Sequence, residues 1–257
     1  MLQPHSPLWH YLWVGPNLLL LCLGGILLFK PKSRKELPAF LVFCFVASLS
    51  ELAVYGADVI PTITPLQFWM TDWAALVAEG IVKFVLIGEI FARAFNSYSS
   101  LARLGRILIR TVGVGLVMTS AIAAALAPKN GSFGIVAGAH LLNQTIYLIS
   151  CGLLLFIFVF ASYFHLSLDR SSFGIAIGLG ISSCVHLATW APMANGDLPN
   201  SIRNQLDFVN MATYHFCVLI WFFYLLVPGT VVAKSAVPLP ENNLAVWNRE
   251  LERLLQQ

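Results

Sequence analysis

Seven stretches of this chain are apolar over about twenty residues, the length an α-helix needs to cross the hydrocarbon core of a bilayer. They run over Leu12–Phe29, Pro38–Asp58, Phe68–Phe95, Ile107–Leu126, Phe133–Phe164, Phe173–Pro192 and Asp207–Val227. The basic residues alternate by side. Lys30, Lys32, Arg34 and Lys35 follow the first stretch; Arg93, Arg103, Arg106 and Arg110 lie around the end of the third; Arg170 precedes the sixth; Lys234, Arg249 and Arg253 follow the seventh. These twelve of the 15 Lys and Arg fall on one side, only Lys129 and Arg203 on the other, and Lys83 lies inside a stretch. Lys and Arg collect on the cytoplasmic face of membrane proteins. The sequence therefore predicts an all-α polytopic membrane protein with seven transmembrane helices, its N-terminus outside and its C-terminus in the cytoplasm, in the inner (plasma) membrane.

Composition agrees. Of the 257 residues 58% are hydrophobic and 11% charged, whereas soluble domains carry about a quarter charged residues. The deficit runs along the whole chain, so we expect one seven-helix membrane domain over 1–228, a Pro-containing linker over 229–241 and a short amphipathic cytoplasmic helix over 242–257. The net charge of +3 resides in loops, which sets topology and offers no nucleic-acid surface. Met1–Tyr11 lacks Lys and Arg while the basic cluster follows the first stretch. A signal peptide has the opposite order, so the first helix is expected to be retained. Asn96–Arg110 reads as a positive inner anchor that can continue as a surface helix. The cysteines, Cys22, Cys44, Cys151, Cys184 and Cys217, all lie in apolar stretches without CxxC spacing and read as packed thiols.

In the tail, Leu244, Trp247, Leu251, Leu254 and Leu255 form one helical stripe, opposite Arg249, Glu250, Glu252 and Arg253. A lipid-surface helix would be richer in Lys and Arg. Mixed charge favours docking of Leu244, Trp247, Leu251 and Leu254 on a cytoplasmic protein partner or a second copy.

The stretches carry several ionisable residues, each of which needs a partner or a wet cavity. Glu51, His140 and His186 lie on the order of 10 Å below the outer surface at 1.5 Å per helical residue, with Glu79 and His215 slightly deeper. Asn143, Gln144, Thr189, Asn210, Thr213 and Tyr214 add hydrogen-bonding groups at that level. Asp72, Glu79 and Lys83 share one helix face, and Glu79 and Lys83 form an i,i+4 pair in the favourable order. Glu51 has no such neighbour and must find Lys83, a histidine, water or a proton. Glu89 pairs with Arg93 in a structural role. We expect Glu51, Glu79, Lys83, His140, Asn143, His186, Tyr214 and His215 to surround one outward-open polar pocket for a small ligand or proton.

No cofactor is expected. Zinc would need ligands from different helices, because no HxxxH or HExxH pair exists; haem is conceivable only through His186 and His215. The seventh stretch has no lysine for a retinal Schiff base. No Walker A loop, GxSxG elbow or dinucleotide fingerprint is present, so nothing names an enzymatic reaction. Ser48, Glu51, Leu52, Ala53 and Tyr55 align with Ser183, His186, Leu187, Ala188 and Trp190 at an offset of 135, as do Asp72 with Asp207 and Glu79 with Tyr214. Stretches one to three would then match five to seven, a 3+1+3 duplication of the kind found in transporters.

The segments SFGIAIGLGI (Ser172–Ile181), MATYHFCVLIWFFYLL (Met211–Leu226) and LAVWNRELERLL (Leu244–Leu255) resemble a group of bacterial multi-pass proteins of similar length that has no established activity. The resemblance implies a fold and no function. Sugar transporters of the 3+1+3 type share the topology, but their Pro-Gln signature is absent. The leading expectation is a receptor-like sensor subunit that signals through its tail. The alternatives are a secondary transporter coupled through Glu51 or Glu79 and a structural subunit of a membrane complex.

Overall fold

The computed structural model describes residues 6–95, 132–163, 168–193 and 199–227, together with isolated positions in 107–118 and Arg253; for 132–141 and 191–193 it describes the backbone alone. Seven helices lie in this part: α1 Pro7–Phe29, α2 Pro31–Glu36, α3 Pro38–Val59, α4 Pro65–Ala94, α5 Ser132–Tyr163, α6 Arg170–Met193 and α7 Asn200–Leu226. The fourth apolar stretch beyond its isolated helical positions, the Asn96–Arg110 segment, the linker and the tail stripe (Leu244, Trp247, Leu251, Leu254) lie outside the described residues.

Local chemistry sets the helix ends. Ser6 accepts the Trp9 amide at 3.3 Å and Pro7 opens the helix, so α1 begins five residues before the apolar stretch. Thr64 and Gln67 close a capping box on α4. No side chain of its own caps α3. Instead Glu89 of α4 accepts the Ala39 amide at 2.8 Å and also pairs with Arg93, supplying from a neighbouring helix the acceptor that α3 lacks. Two expectations need correction. α7 starts at Asn200, not Asp207, because its first two turns are polar (Asn200, Arg203, Asn204) and escape an apolarity criterion. The basic segment after α1 contains α2, opened by Pro31 at its first position.

Among the described residues five helices are long and apolar enough to cross a membrane: Pro7–Phe29, Pro38–Val59, Leu142–Tyr163, Arg170–Trp190 and Asn200–Leu226. α4 has 30 residues but carries Asp72, Glu79, Lys83, Glu89 and Arg93, and is not among the five. The bundle's outer surface is apolar too. Leu148, Leu155 and Val159 on α5, and Phe216, Leu219 and Phe223 on α7, are about half exposed along helical stripes. A continuous apolar exterior of this kind suits lipid. The chain is an integral multi-span membrane protein.

The six long helices close into a ring, α1–α3–α4–α5–α6–α7 and back to α1, with α2 packed against α1 and α3. α4 and α5 run parallel: the contacts Gly80–Ile146, Lys83–Tyr147, Phe91–Phe156 and Phe95–Phe160 advance together along both. One half of the ring is filled by an apolar core that includes Leu20, Leu23, Leu27, Phe40, Phe43, Ile87, Ile90, Leu154 and Trp221. Lys30, Lys32, Arg34, Lys35, Arg93 and Arg170 all lie at that end.

Glycine lets α6 and α7 touch. A methyl group at Gly174 would run into Tyr224, and one at Gly178 into Trp221, whose indole donates to the Ile175 carbonyl at 3.3 Å. At Gly180 a methyl would meet nothing within 4 Å. Gly178→Ala should therefore destabilise the protein by about 1–3 kcal/mol through overpacking. Gly180→Ala should be neutral or stabilising by up to about 1 kcal/mol, since alanine is the better helix former. Thermal melts in detergent check this; equal melting points for the two variants would contradict the packing.

Candidate functional site

The other half of the ring is polar, at the end where α1, α4 and α7 begin and α3 and α6 finish. The i,i+7,i+11 spacing aligns Asp72, Glu79 and Lys83 on the inner face of α4. Lys83 Nζ lies 2.9 Å from Glu79 Oε1, with the two side chains 5% and 16% exposed. The same ammonium stands 4.3 Å from the centroid of the Tyr147 ring on α5, where the ring's negative face attracts it. Tyr147 stacks on His186 of α6 at 3.8 Å, and His186 stacks on Trp190 one turn on at 5.4 Å. Asn143 Nδ2, one turn before Tyr147, donates to His186 Nε2 at 3.1 Å. That bond leaves the imidazole proton on Nδ1. One connected set thus joins α4, α5 and α6.

A second set joins α3, α1 and α7. Trp13 Nε1 donates to Glu51 Oε2 at 3.1 Å. Asn17 Nδ2 donates to the Trp13 carbonyl at 2.8 Å, and Tyr214 donates its hydroxyl proton to Asn17 Oδ1 at 3.3 Å. Pro16 has no amide to offer the carbonyl of Leu12, so α1 lacks one ladder bond beside this network. Thr189 Oγ1 donates to Asn210 Oδ1 at 2.8 Å and ties α6 to α7. Above the cavity end, Trp9, Trp13, Tyr55 and His10 form an aromatic cluster, with Tyr55 and His10 hydrogen-bonded at 3.0 Å.

Between the two sets lies a cavity of about 280 Å³. Six of the sequence-predicted residues line it: Glu51, Glu79, Lys83, Asn143, His186 and Tyr214. His215 does not. Its place on α7 turns it toward Tyr11, 5.6 Å between rings, and among the described residues its Nδ1 has no partner. The His140 side chain lies outside the described residues. The expected layer of three histidines therefore reduces, among the described residues, to His186 alone in the cavity. No three of His, Cys, Asp and Glu stand close enough to share a metal ion among the described residues.

Sequence reasoning left out several walls of the site. Asp72 lies on the Glu79–Lys83 stripe and Tyr147 and Trp190 each lie one turn from a predicted residue, so helical spacing could have added all three. Asp207 and Ser183 were visible only as partners in the 135-residue alignment. Trp13 carried no signal, because a tryptophan at a membrane boundary is ordinarily an interfacial anchor. Both Ser48 and Ser183, equivalent in that alignment, are buried with Oγ atoms that lack a partner among the described residues.

No protein-family model, curated protein or solved structure matches this chain. What the geometry defines is a membrane protein with a half-polar interior and a solute-sized cavity among ionisable side chains.

The Glu79–Lys83 pair is nearly dry, so either partner left alone is an uncompensated charge. Glu79→Gln or Lys83→Met alone should cost about 3–5 kcal/mol, and the double variant markedly less than the sum. Denaturation midpoints of the three purified variants measure the coupling. Additive losses would mean that the two side chains do not depend on each other.

Proposed function

We propose that this chain is a solute-binding membrane protein that works as a secondary transporter, with Glu51 as its coupling carboxyl. One observation carries the reading. The cavity lies on the seam between two three-helix units, α1/α3/α4 and α5/α6/α7, and residues at equivalent positions face it from both: Glu51 and His186, Asp72 and Asp207, Glu79 and Tyr214. Transporters built from parallel repeats hold their substrate at the repeat interface and work by rocking one unit against the other. Glu51 has an indole N–H as its hydrogen-bond partner and no salt bridge among the described residues, which suits a carboxyl that takes up and releases a proton.

The charge distribution orients the protein. Basic residues cluster at the end away from the cavity, so on the positive-inside rule the cavity opens to the outside of a plasma (inner) membrane, with the fourth apolar stretch as the seventh span. The tail stripe from Leu244 to Leu254 then faces the cytoplasm and offers a docking surface for a partner or a second copy. A receptor-like sensor is the second reading. It is favoured by the sealed inner end, where Trp221 sits edge-on to Phe40 and Phe43 at 5.7 Å each.

Single cysteines in a Cys-less chain test the orientation. Ser182→Cys and Thr62→Cys should react with an impermeant thiol reagent from outside, and Ser33→Cys should not. Reaction at position 33 would invert the topology. Sealed vesicles containing the purified full-length protein test the activity, using labelled glucose, phenylalanine, succinate and tetraethylammonium under an imposed proton gradient. Transport requires accumulation of at least one probe above protein-free vesicles, abolished by Glu51→Gln. Binding without accumulation, read from tryptophan fluorescence, assigns the sensor reading instead. Neither binding nor accumulation would defeat both.

A further inference from the structure

The cavity walls say which chemical class of solute fits, an inference that rests on the cavity being a solute site as proposed above. Four carboxyl side chains line it (Glu51, Asp72, Glu79 and Asp207) against one ammonium, Lys83. Lys83 is already committed to Glu79 at 2.9 Å. Among the described residues no Lys or Arg reaches salt-bridge distance of Glu51, Asp72 or Asp207. These carboxyl groups do not converge on a point, since no three acidic, histidine or cysteine groups stand close enough for a metal ion among the described residues. They surround a space of about 280 Å³, room for several non-hydrogen atoms.

Much of the remaining wall is aromatic. Trp13, Tyr147, Trp190, Tyr214 and Trp221 line the same space. Aromatic faces attract cations, most strongly when both are shielded from water. Two polar atoms there lack partners among the described residues. Ser183 is 1% exposed and its Oγ is unsatisfied, and the Asn143 Oδ1 acceptor is unsatisfied while Nδ2 is engaged with His186. A buried polar atom without a partner is unfavourable, because it has given up its hydrogen bonds to water. A ligand with N–H donors satisfies both. A carboxylate-bearing ligand would face three carboxyl groups and find the one ammonium occupied.

We propose that the cavity binds a small organic ammonium ion with an apolar or aromatic body, seated on the aromatic walls with its N–H groups directed to Ser183, Asn143 and the free carboxyl groups. The headgroup preference is primary ammonium over quaternary ammonium, because trimethylation removes the donors and leaves the charge.

A headgroup series on one body tests this with the purified full-length protein in lipid nanodiscs. The probes are 2-phenylethylammonium, trimethyl(2-phenylethyl)ammonium, 2-phenylethanol, phenylalanine and phenylacetate, with binding read from quenching of the cavity tryptophans and from calorimetry. We expect 2-phenylethylammonium to bind at least tenfold more tightly than 2-phenylethanol, with the trimethyl compound between them and phenylacetate weakest. Asp207→Asn and Asp72→Asn should each weaken the ammonium at least fivefold and leave 2-phenylethanol unchanged. Using both variants keeps the test intact if one fails to fold. Equal or tighter binding of 2-phenylethanol, phenylalanine or phenylacetate overturns the ammonium assignment and leaves the solute site standing. So does failure of all five probes while Ser182→Cys still reacts from outside. Failure of all five with Ser182→Cys unreactive removes the solute site itself.

Discussion

A lysine that is only 4% exposed in the middle of a helix bundle is the constraint around which the rest of this interior is arranged. A bare charge at that depth cannot be left in lipid or hydrocarbon-like packing. Lys83 therefore requires Glu79 one turn before it, and Glu79 in turn requires α4 to present that face inward. With Asp72 on the same stripe, α4 becomes too polar to read as an ordinary apolar span, and its charged face has to turn into the ring. Its outer face is apolar like those of the other five, with Met70, Ile81 and Val85 exposed, while its inner face supplies three of the charged groups of the polar wall. Tyr147 completes the arrangement from α5, giving the ammonium an aromatic face in place of a second carboxylate. His186 stacks on that ring and Asn143 fixes the imidazole, so a requirement that begins at one lysine organises three helices.

The consequence is a bundle divided along its axis. At one end, indole, amide, phenol and carboxyl groups leave open space, because polar side chains with defined hydrogen bonds do not interdigitate to fill volume as branched apolar ones do. At the other, Leu20, Leu23, Leu27, Ile87, Ile90 and Leu154 pack to complete burial. The division follows the helices: each long helix is apolar along one half of its inward face and polar along the other.

Much of this was legible in the sequence. Apolar length gave the helices of the ring to within a few residues except at the starts of α1 and α7, where a serine cap and two polar turns extend the helix beyond its apolar stretch. Similar depth picked out Glu51, Glu79, Asn143, His186 and Tyr214, and i,i+4 spacing from Glu79 added Lys83, since an ionisable group in a span has few places to go. Depth alone cannot give azimuth. His215 neighbours Tyr214 on α7, and about 100° of helical turn between adjacent residues carries one into the cavity and the other toward Tyr11. Nor could the sequence show that Trp13 closes over Glu51, because that contact depends on α1 and α3 being neighbours in the ring. Glu89 is instructive in the other direction: its pairing with Arg93 was visible from i,i+4 spacing, while its service to the bare N-terminus of α3 was not.

Aligned at the offset of 135, the α1/α3/α4 and α5/α6/α7 halves of the ring differ in chemistry. Asp72 and Asp207 match, as do the buried hydroxyls of Ser48 and Ser183, but Glu51 faces His186 and Glu79 faces Tyr214. Aligned positions thus hold an acid in one half of the ring and a hydrogen-bonding aromatic ring in the other, which makes the cavity electrostatically lopsided. The closure below it is lopsided too. Trp221 is locked to its own unit by the close approach of Gly178 and by its bond to the Ile175 carbonyl, while it meets Phe40 and Phe43 of the other unit only through edge-on ring contacts. Contacts inside a unit are steric and hydrogen-bonded; those across the seam at this point are dispersive and shape-tolerant, with aromatic pairs worth about 0.5–1.5 kcal/mol each beyond their burial. Trp221 and Phe43 line the cavity, and with Phe40 they close it toward the packed end. Elsewhere the same seam carries the Tyr214–Asn17 hydrogen bond at 3.3 Å and the Lys83–Tyr147 contact at 4.3 Å, so the two halves of the ring meet through polar as well as apolar contacts.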